Sequence, residues 1–355
     1  MISILIPTLN RPEFVIRYID YLRFSNFKGE LLIGDSSNNE NYDLTHNYIV
    51  NNNFSFKILQ KNYPGKMHFE VIRDLLPYIS MPYSIYMCDD DFLVINTLEK
   101  CAEFLSKNLE YSAVGGKGIM CNTNYINGIF EIQQVYEISF YNLLDDSPLE
   151  RLEKLTRKYN VIAYSLVRTE DFIQKWPISI EFNEKELSIE LLPCFVSAIQ
   201  GKILFLDDLF IIRTNQEKRI LLQKRFNIFL DSNWRSSFIF TINYLLRILK
   251  NYKLTNLDSE IISENLFNSI SFYYIRSINN KYKKALTKKT NKLHIFFTEN
   301  YVYKYCVKIY NYLYYKLHSN FKIDDFSLKM MLKEKSKHHI HFMKFYKIIN
   351  TKYDL

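Results

Sequence analysis

Three consecutive carboxylates, Asp89-Asp90-Asp91, close the apolar run Tyr83-Ser84-Ile85-Tyr86-Met87-Cys88. Such a run of β-favouring and aromatic residues predicts a buried strand. Asp is a poor strand former, so the triplet must stand where the chain leaves its sheet. In open α/β sheets, ligands bind outside the carboxyl ends of the strands. Like charges this close repel unless a cation or a set of donors compensates them. Carboxylate oxygens are hard ligands, and they suit Mg²⁺ or Mn²⁺ carrying a phosphate better than zinc. The competing reading is a solvated acidic turn or a helix cap.

The preceding elements must bring further polar groups to that edge. Residues 2–6 predict an apolar strand, closed by the turn Pro7-Thr8-Leu9-Asn10-Arg11-Pro12, with Pro12 suited to the first turn of a helix. Phe14, Val15, Tyr18, Ile19 and Leu22 recur at three- and four-residue spacing, the mark of an amphipathic helix. A second strand over 30–34 stops at Asp35-Ser36-Ser37-Asn38-Asn39. A polar helix over 42–51, a strand over 55–59 and a helix opened by Tyr63-Pro64-Gly65 follow. This alternation predicts an α/β domain with a mostly parallel sheet. Thr8 and Asp35 then join the Asp triplet at one edge, the arrangement of a nucleotide pocket at a switch point. Neither a G-x-G-x-x-G nor a G-x-x-x-x-G-K-[ST] motif occurs, which argues against dinucleotide and P-loop sites.

With strand, Pro7-Thr8-Leu9-Asn10-Arg11, helix, strand, Gly34-Asp35-Ser36-Ser37 and then Asp89-x-Asp91, the chain resembles a nucleotide-sugar glycosyltransferase of the GT-A fold, most nearly the inverting family 2 type. Gly65 and Arg73-Asp74 fall where that family has a Gly-containing loop and an Arg-Asn pair, with Asp74 a departure. The likeness covers about residues 1–215 and implies an α/β, Rossmann-like, mostly parallel mixed sheet. It implies a nucleoside diphosphate sugar held by Pro7, Thr8, Asn10, Arg11, Asp35, Arg73, Asp89 and Asp90. It also implies Mn²⁺ or Mg²⁺ on Asp91, with Asp89 beside it. A metal there would neutralise charge building on the diphosphate leaving group.

An inverting transferase needs a base for the acceptor hydroxyl, and a carboxylate serves. The acidic stretch Phe182-Asn183-Glu184-Lys185-Glu186-Leu187-Ser188-Ile189-Glu190 leads into an apolar helix ending near Gln200-Gly201. Counted back from Gly201, the family's base position falls at Glu190, with Glu186 and Glu184 as alternatives. These acids also suit an ordinary first turn facing the helix dipole. The strand over 203–212 ends in Arg213-Thr214-Asn215; relatives often carry a His near here, and Arg213 could bind the phosphates instead. Residues 112–114 predict a strand ending in Gly115-Gly116, residues 117–160 show no clear period, and residues 161–168 alternate enough for a strand.

The 355 residues, 48 % hydrophobic and 24 % charged, fit a folded soluble protein, and the 28 Tyr and 27 Phe fit the bias of an AT-rich genome. Five scattered cysteines without a C-x-x-C pair argue against a disulfide framework or a zinc site. Met1 opens a strand and not a signal peptide, and no apolar run reaches membrane-spanning length, so a cytoplasmic protein is expected. Residues 1–216 carry 20 Lys and Arg against 28 Asp and Glu, a net −8; residues 217–355 carry 26 against 10, a net +16. The expected division is a GT-A domain over 1–215 and a basic, aromatic-rich helical domain over 216–355. Helical stripes at Ile239, Ile242, Leu245, Leu246 and Leu249, and at Val302, Cys306, Ile309 and Leu313, stand with the basic clusters at Lys281-Tyr282-Lys283-Lys284 and Lys288-Lys289. They suit peripheral contact with an anionic membrane bearing a lipid-linked glycan acceptor, or homo-oligomer formation. No nucleic-acid motif appears. His338, His339 and His341 are expected in a solvated tail.

The expected function is metal-dependent transfer of a sugar from a nucleoside diphosphate to a hydroxyl acceptor in bacterial surface glycan synthesis. The alternatives are a non-catalytic nucleotide- or membrane-binding protein, or a sugar nucleotidyltransferase, whose Gly-rich N-terminal loop is missing.

Overall fold

The computed structural model describes residues 1–126, 129–176, 190–215, 232–251, 264, 267, 268, 271 and 326–353. Every residue of β1 (Ile2–Thr8) is buried, as a near-continuous apolar strand covered on both faces requires. Helix α1 (Pro12–Phe24) crosses to β2 (Glu30–Asp35), and α2 (Asn39–Val50) crosses to the edge strand β3 (Lys57–Asn62). Helix α3 (His68–Leu75) then leads back to β4 (Tyr83–Tyr86), which pairs with β1 on its other side. Strand order therefore reverses at β1, between β2 and β4, and the switch point lies above the carboxyl ends of these strands.

Beyond the Asp triplet come β5 (Phe92–Leu93), α4 (Ile95–Lys107), β6 (Tyr111–Ile126), β7 (Ile129–Ile138) and α5 (Pro148–Arg157). Then follow β8 (Leu166–Arg168), α6 (Thr169–Gln174), α7 (Leu192–Gln200) and β9 (Lys202–Asn215). Among the described residues the sheet has nine strands, ordered β3-β2-β1-β4-β8-β6-β9-β5, with β7 paired to β6. Strands β5, β7 and β8 run against the rest, so the sheet is mixed and mostly parallel, the α/β class expected.

Alternate strand residues serve the two faces. Leu5, Leu32 and Tyr86 join a core with α3, α5 and α7. Ile4, Ile6, Leu31, Ile33 and Ile85 join a second core with α1 and α4. Helix α3 lies so close to the sheet that a Cβ on Gly34 would stand 2.1 Å from Val71 Cγ1.

Several local expectations are corrected. The strand expected to stop near Gly115-Gly116 runs on as β6, pairing with β9 through register shifts. A Cβ on Gly116 would come within 2.6 Å of Asp208 O, so here glycine permits close strand approach and does not end the strand. The residues expected to form a strand over 161–168 are extended only at β8.

In α8 (Ser232–Asn251) the buried stripe is Phe238, Thr241, Leu245, Ile248 and Leu249, which docks on the α7 side of the sheet; Ile239 is 51 % exposed. The C-terminal helices α9 (Leu328–Met331) and α10 (His339–Ile349) complete the opposite core through Met331, Phe342, Phe345 and Ile349. His338 is buried and stacked on Phe326 at 4.8 Å, and His339 Nδ1 lies 3.1 Å from Met331 O, so this histidine cluster is not a solvated tail. The stripe from Val302 to Leu313 and the lysine clusters at 281–289 lie outside the described residues. No described helix is long and apolar enough to cross a membrane.

Candidate active site

The site is built from loops at the switch point. Thr8 ends β1 opposite Asp35 at the end of β2, and Pro7 pairs with Gly34. The chain turns at Asn10, whose φ of 52° is one that asparagine tolerates better than most residues. Asn10 N donates to Ser37 Oγ at 2.7 Å, and Asn10 Oδ1 accepts from Asn38 N at 3.0 Å. These bonds lace the loop after β1 to the loop after β2. Asp35 is buried: its Oδ1 accepts from Ser37 N at 2.9 Å in an Asx turn, and its Oδ2 accepts from Gln60 Nε2 at 3.0 Å.

The Asp triplet meets these loops. Thr8 Oγ1 donates to Asp89 Oδ2 at 2.8 Å, and Arg11 Nη1 donates to Asp89 Oδ1 at 2.8 Å. The other prong of Arg11 reaches Asp90 Oδ2 at 3.3 Å, while its guanidinium stacks 3.8 Å from the centre of Phe14. Asp91 turns the opposite way, toward β9: Arg213 Nε donates to its Oδ2 at 3.1 Å and Thr214 N to its Oδ1 at 3.0 Å. Thr214 Oγ1 also donates to Asp90 O at 2.8 Å, so the turn is pinned from β9. Burial pushes the carboxyls of Asp89 and Asp91 above the ordinary range, against the pull of Arg11 and Arg213 respectively. Burial disfavours the charge on Arg213, but Asp91 outweighs it and holds the guanidinium firmly protonated.

Behind the triplet runs a polar chain. His68 Nε2 lies 3.0 Å from Tyr86 OH, which is 3.3 Å from Cys88 Sγ, which is 3.2 Å from Tyr164 OH. Tyr164 stacks on Tyr86 and lies under Arg213, 4.8 Å from the guanidinium carbon. Among the described residues, one atom each from Cys88, Asp90 and Asp91 fall within 4.8 Å of one another, close enough to share one divalent cation. A thiol is a soft ligand and carboxylates are hard ones, so the two carboxylates are the donors that fit Mn²⁺ or Mg²⁺. Asp89 faces Thr8 and Arg11 instead and is not in this group.

Among the described residues, Arg73 and Glu190 make no hydrogen bond or ion pair with this network. Arg73 Nε pairs with Asp74 Oδ1 at 3.0 Å, and Lys66 grips the other oxygen of Asp74. Glu190 is half-buried in the turn that opens α7, one turn before Cys194. Burial raises the Cys194 thiol to about 11, and the Glu190 charge adds to that rise. Among the described residues, no hydrogen bond or ion pair joins Glu190 to the triplet. Glu184 and Glu186 lie outside the described residues. Sequence reasoning missed Ser37, Gln60, Tyr86, Cys88, Tyr164 and Thr214 as site residues. Ser37, Cys88 and Thr214 carried a signal, each lying within two residues of Asp35, Asp89 or Arg213.

No family model and no curated protein matches the chain. Solved structures do resemble it. The crystal structure of S. aureus TarS is 12 % identical, with a TM-score of 0.48 over 77 % of this chain and 43 % of that one. TarS 1–349 is 13 % identical, with a TM-score of 0.46 over 79 % of this chain and 73 % of that one. The same fragment in complex with UDP-GlcNAc is 12 % identical, with a TM-score of 0.48 over 77 % and 72 %. The chain thus spans less than half the length of the first of these.

Proposed function

We propose that this protein is a glycosyltransferase that moves a sugar from a nucleoside diphosphate to a hydroxyl acceptor, in the synthesis of a bacterial surface glycan. The observation that carries this reading is the meeting of Thr8, Arg11 and Asp89 at the strand switch point, beside the buried Asp35 turn. Three loops, after β1, β2 and β4, converge on the sheet edge where α/β sheets bind nucleotides.

In this reading the loops holding Pro7, Thr8, Asn10 and Asp35 seat the nucleoside, and Asp89 and Asp90 contact the ribose. Arg73, now paired with Asp74, would line the nucleotide by exchanging that partner. Asp90 and Asp91 would hold Mn²⁺ or Mg²⁺, with Asp89 shaping the turn beside them. The metal would supply positive charge to the leaving diphosphate. Arg11 and Arg213 add positive charge on either side of the triplet, where guanidinium groups can bind phosphate oxygens bidentately. Glu190 is the base assigned to the acceptor hydroxyl, with Glu186 and Glu184 as alternatives, and in-line attack would invert the anomeric centre. The basic part of the chain, over 216–355, would approach an anionic membrane from the cytoplasmic side to reach a lipid-linked acceptor, or join copies of the chain.

Thermal melting against UDP-, GDP-, CMP- and dTDP-sugars, with and without Mn²⁺, tests the proposal. One nucleotide should raise Tm by mass action in a metal-dependent way, and Asp91→Ala should abolish that shift. A panel without any shift would sink the donor site.

A further inference from the structure

We propose that Arg213 is a resident counter-ion: it holds the cation position of Asp91 in the metal-free protein and yields it when a divalent ion and a diphosphate arrive together. The inference rests on the donor-site reading above.

Asp91 cannot stand alone. Its side chain is 2 % exposed, and an uncompensated carboxylate at that depth is costly. Of its two donors, Thr214 N belongs to the β9 backbone and cannot leave without breaking the strand. Arg213 can leave: its side chain is 22 % exposed, and it holds Asp91 by a single Nε contact. Arg11 is anchored more heavily, with two prongs on Asp89 and Asp90 and its face on Phe14.

The Asp91 carboxylate bonded to Arg213 is also part of the cluster with Cys88 and Asp90 that spans 4.8 Å. A divalent ion in that cluster would stand beside the guanidinium, and like charges this close repel strongly in a buried site. The two cations should therefore exclude one another at Asp91 unless an anion separates them. A diphosphate is such an anion, because its oxygens accept from the freed guanidinium and also ligate the metal. Metal and diphosphate would then raise each other's affinity by the same factor, with Arg213 as the coupling element. Tyr164, stacked below the guanidinium, gives the side chain a surface along which to move.

The test measures Mn²⁺ binding by electron paramagnetic resonance of the free ion, on wild type, Arg213→Met, Arg213→Lys and Asp91→Asn. With Mn²⁺ alone, Arg213→Met should bind roughly tenfold more tightly than wild type, and Mn²⁺ should raise its Tm more. Arg213→Lys keeps a cation for folding but lacks Nε; it should fall between the two and carries the comparison if the Met variant does not fold. Calorimetry with pyrophosphate, a probe that needs no base recognition, should show Mn²⁺ tightening its binding to wild type and doing so less in Arg213→Met. Equal Mn²⁺ affinity in wild type and both Arg213 variants, with binding lost in Asp91→Asn, would overturn this inference and leave the metal site intact. No Mn²⁺ binding by any form, with or without pyrophosphate, would overturn the metal site and this inference with it.

Discussion

Thr8 Oγ1 donates to Asp89 Oδ2 across 81 positions of sequence, and the bond sits where the order of the strands reverses. Thr8 ends β1 and Asp89 stands three residues past the end of β4, the parallel neighbour of β1, so the contact follows from the register that sets Leu5 beside Tyr86. Asp89 is 5 % exposed and shares its charge between this hydroxyl and Arg11. Thr8→Val removes the hydroxyl with little change of shape. It should cost about 1–3 kcal/mol, the range for a buried charged group short of one donor, while Thr8→Ser should retain most of the stability. Urea unfolding of both variants decides the matter: equal losses would mean that the methyl group, not the hydroxyl, is what counts.

The pair at the other end of the triplet should behave as a unit. Arg213→Met leaves Asp91 buried with only Thr214 N as donor, and Asp91→Asn leaves the guanidinium facing a neutral amide. Each single change is expected to cost about 2–4 kcal/mol, somewhat below a fully buried pair because Arg213 reaches the surface. The double variant should cost less than the sum by about 1 kcal/mol or more. Additive losses in chemical denaturation would show that the two residues are held independently.

Much of the first half of the chain was legible because its signals are local. Apolar runs broken by Pro, Asn and Asp placed β1, β2 and β4 to within a residue or two, and the poor strand propensity of Asp placed the triplet in a turn. The same logic misread Gly115 and Gly116 as a strand end, since the reason for them is Asp208 on another strand. It placed Ile239 on the buried stripe, although helix α8 turns Phe238 inward. Tyr164 reaches Cys88 across 76 positions, and nothing near Tyr164 in the sequence announces that contact. His338 looked like part of a polar tail because its partner, Phe326, lies twelve positions earlier, at no spacing that a helix would bring together. What escaped was in each case a pairing between distant segments.

Lys175 offers a pH test away from the triplet. It is 2 % exposed, and burial brings its amine down to about 8, while Cys194 and Asp171 pull upward. The unfolded chain keeps the ordinary value of 10.5, so between about pH 8 and 10.5 the unfolded state binds the extra proton. Unfolding free energy should therefore rise with pH through that window, by up to about 3 kcal/mol from this group. Lys175→Met, similar in length and without charge, should be more stable than wild type at neutral pH, and the gap should close toward pH 10.5. Parallel pH-stability curves for the two proteins would refute the assignment.

The C-terminal helices bear on whether residues 1–215 fold by themselves. Phe345 is fully buried and meets Phe92 edge-on at 5.0 Å, and Phe92 begins the strand directly after the Asp triplet. Phe92 also packs on Tyr18 and Tyr21, so α10 reaches the floor of the site through one aromatic cluster. Farther along, Tyr353 OH donates to Asp20 Oδ2 at 2.9 Å and Arg17 Nη2 to Thr351 O at 3.4 Å, fastening the chain end to α1. Phe345→Ala should cost about 3–5 kcal/mol through lost burial and the cavity left behind, and Phe345→Leu clearly less. Because the cavity would open under β5, the same variant should also weaken any nucleotide-induced rise in Tm. A loss below about 1 kcal/mol in urea unfolding would mean that α10 docks loosely and that the site stands on the first 215 residues alone.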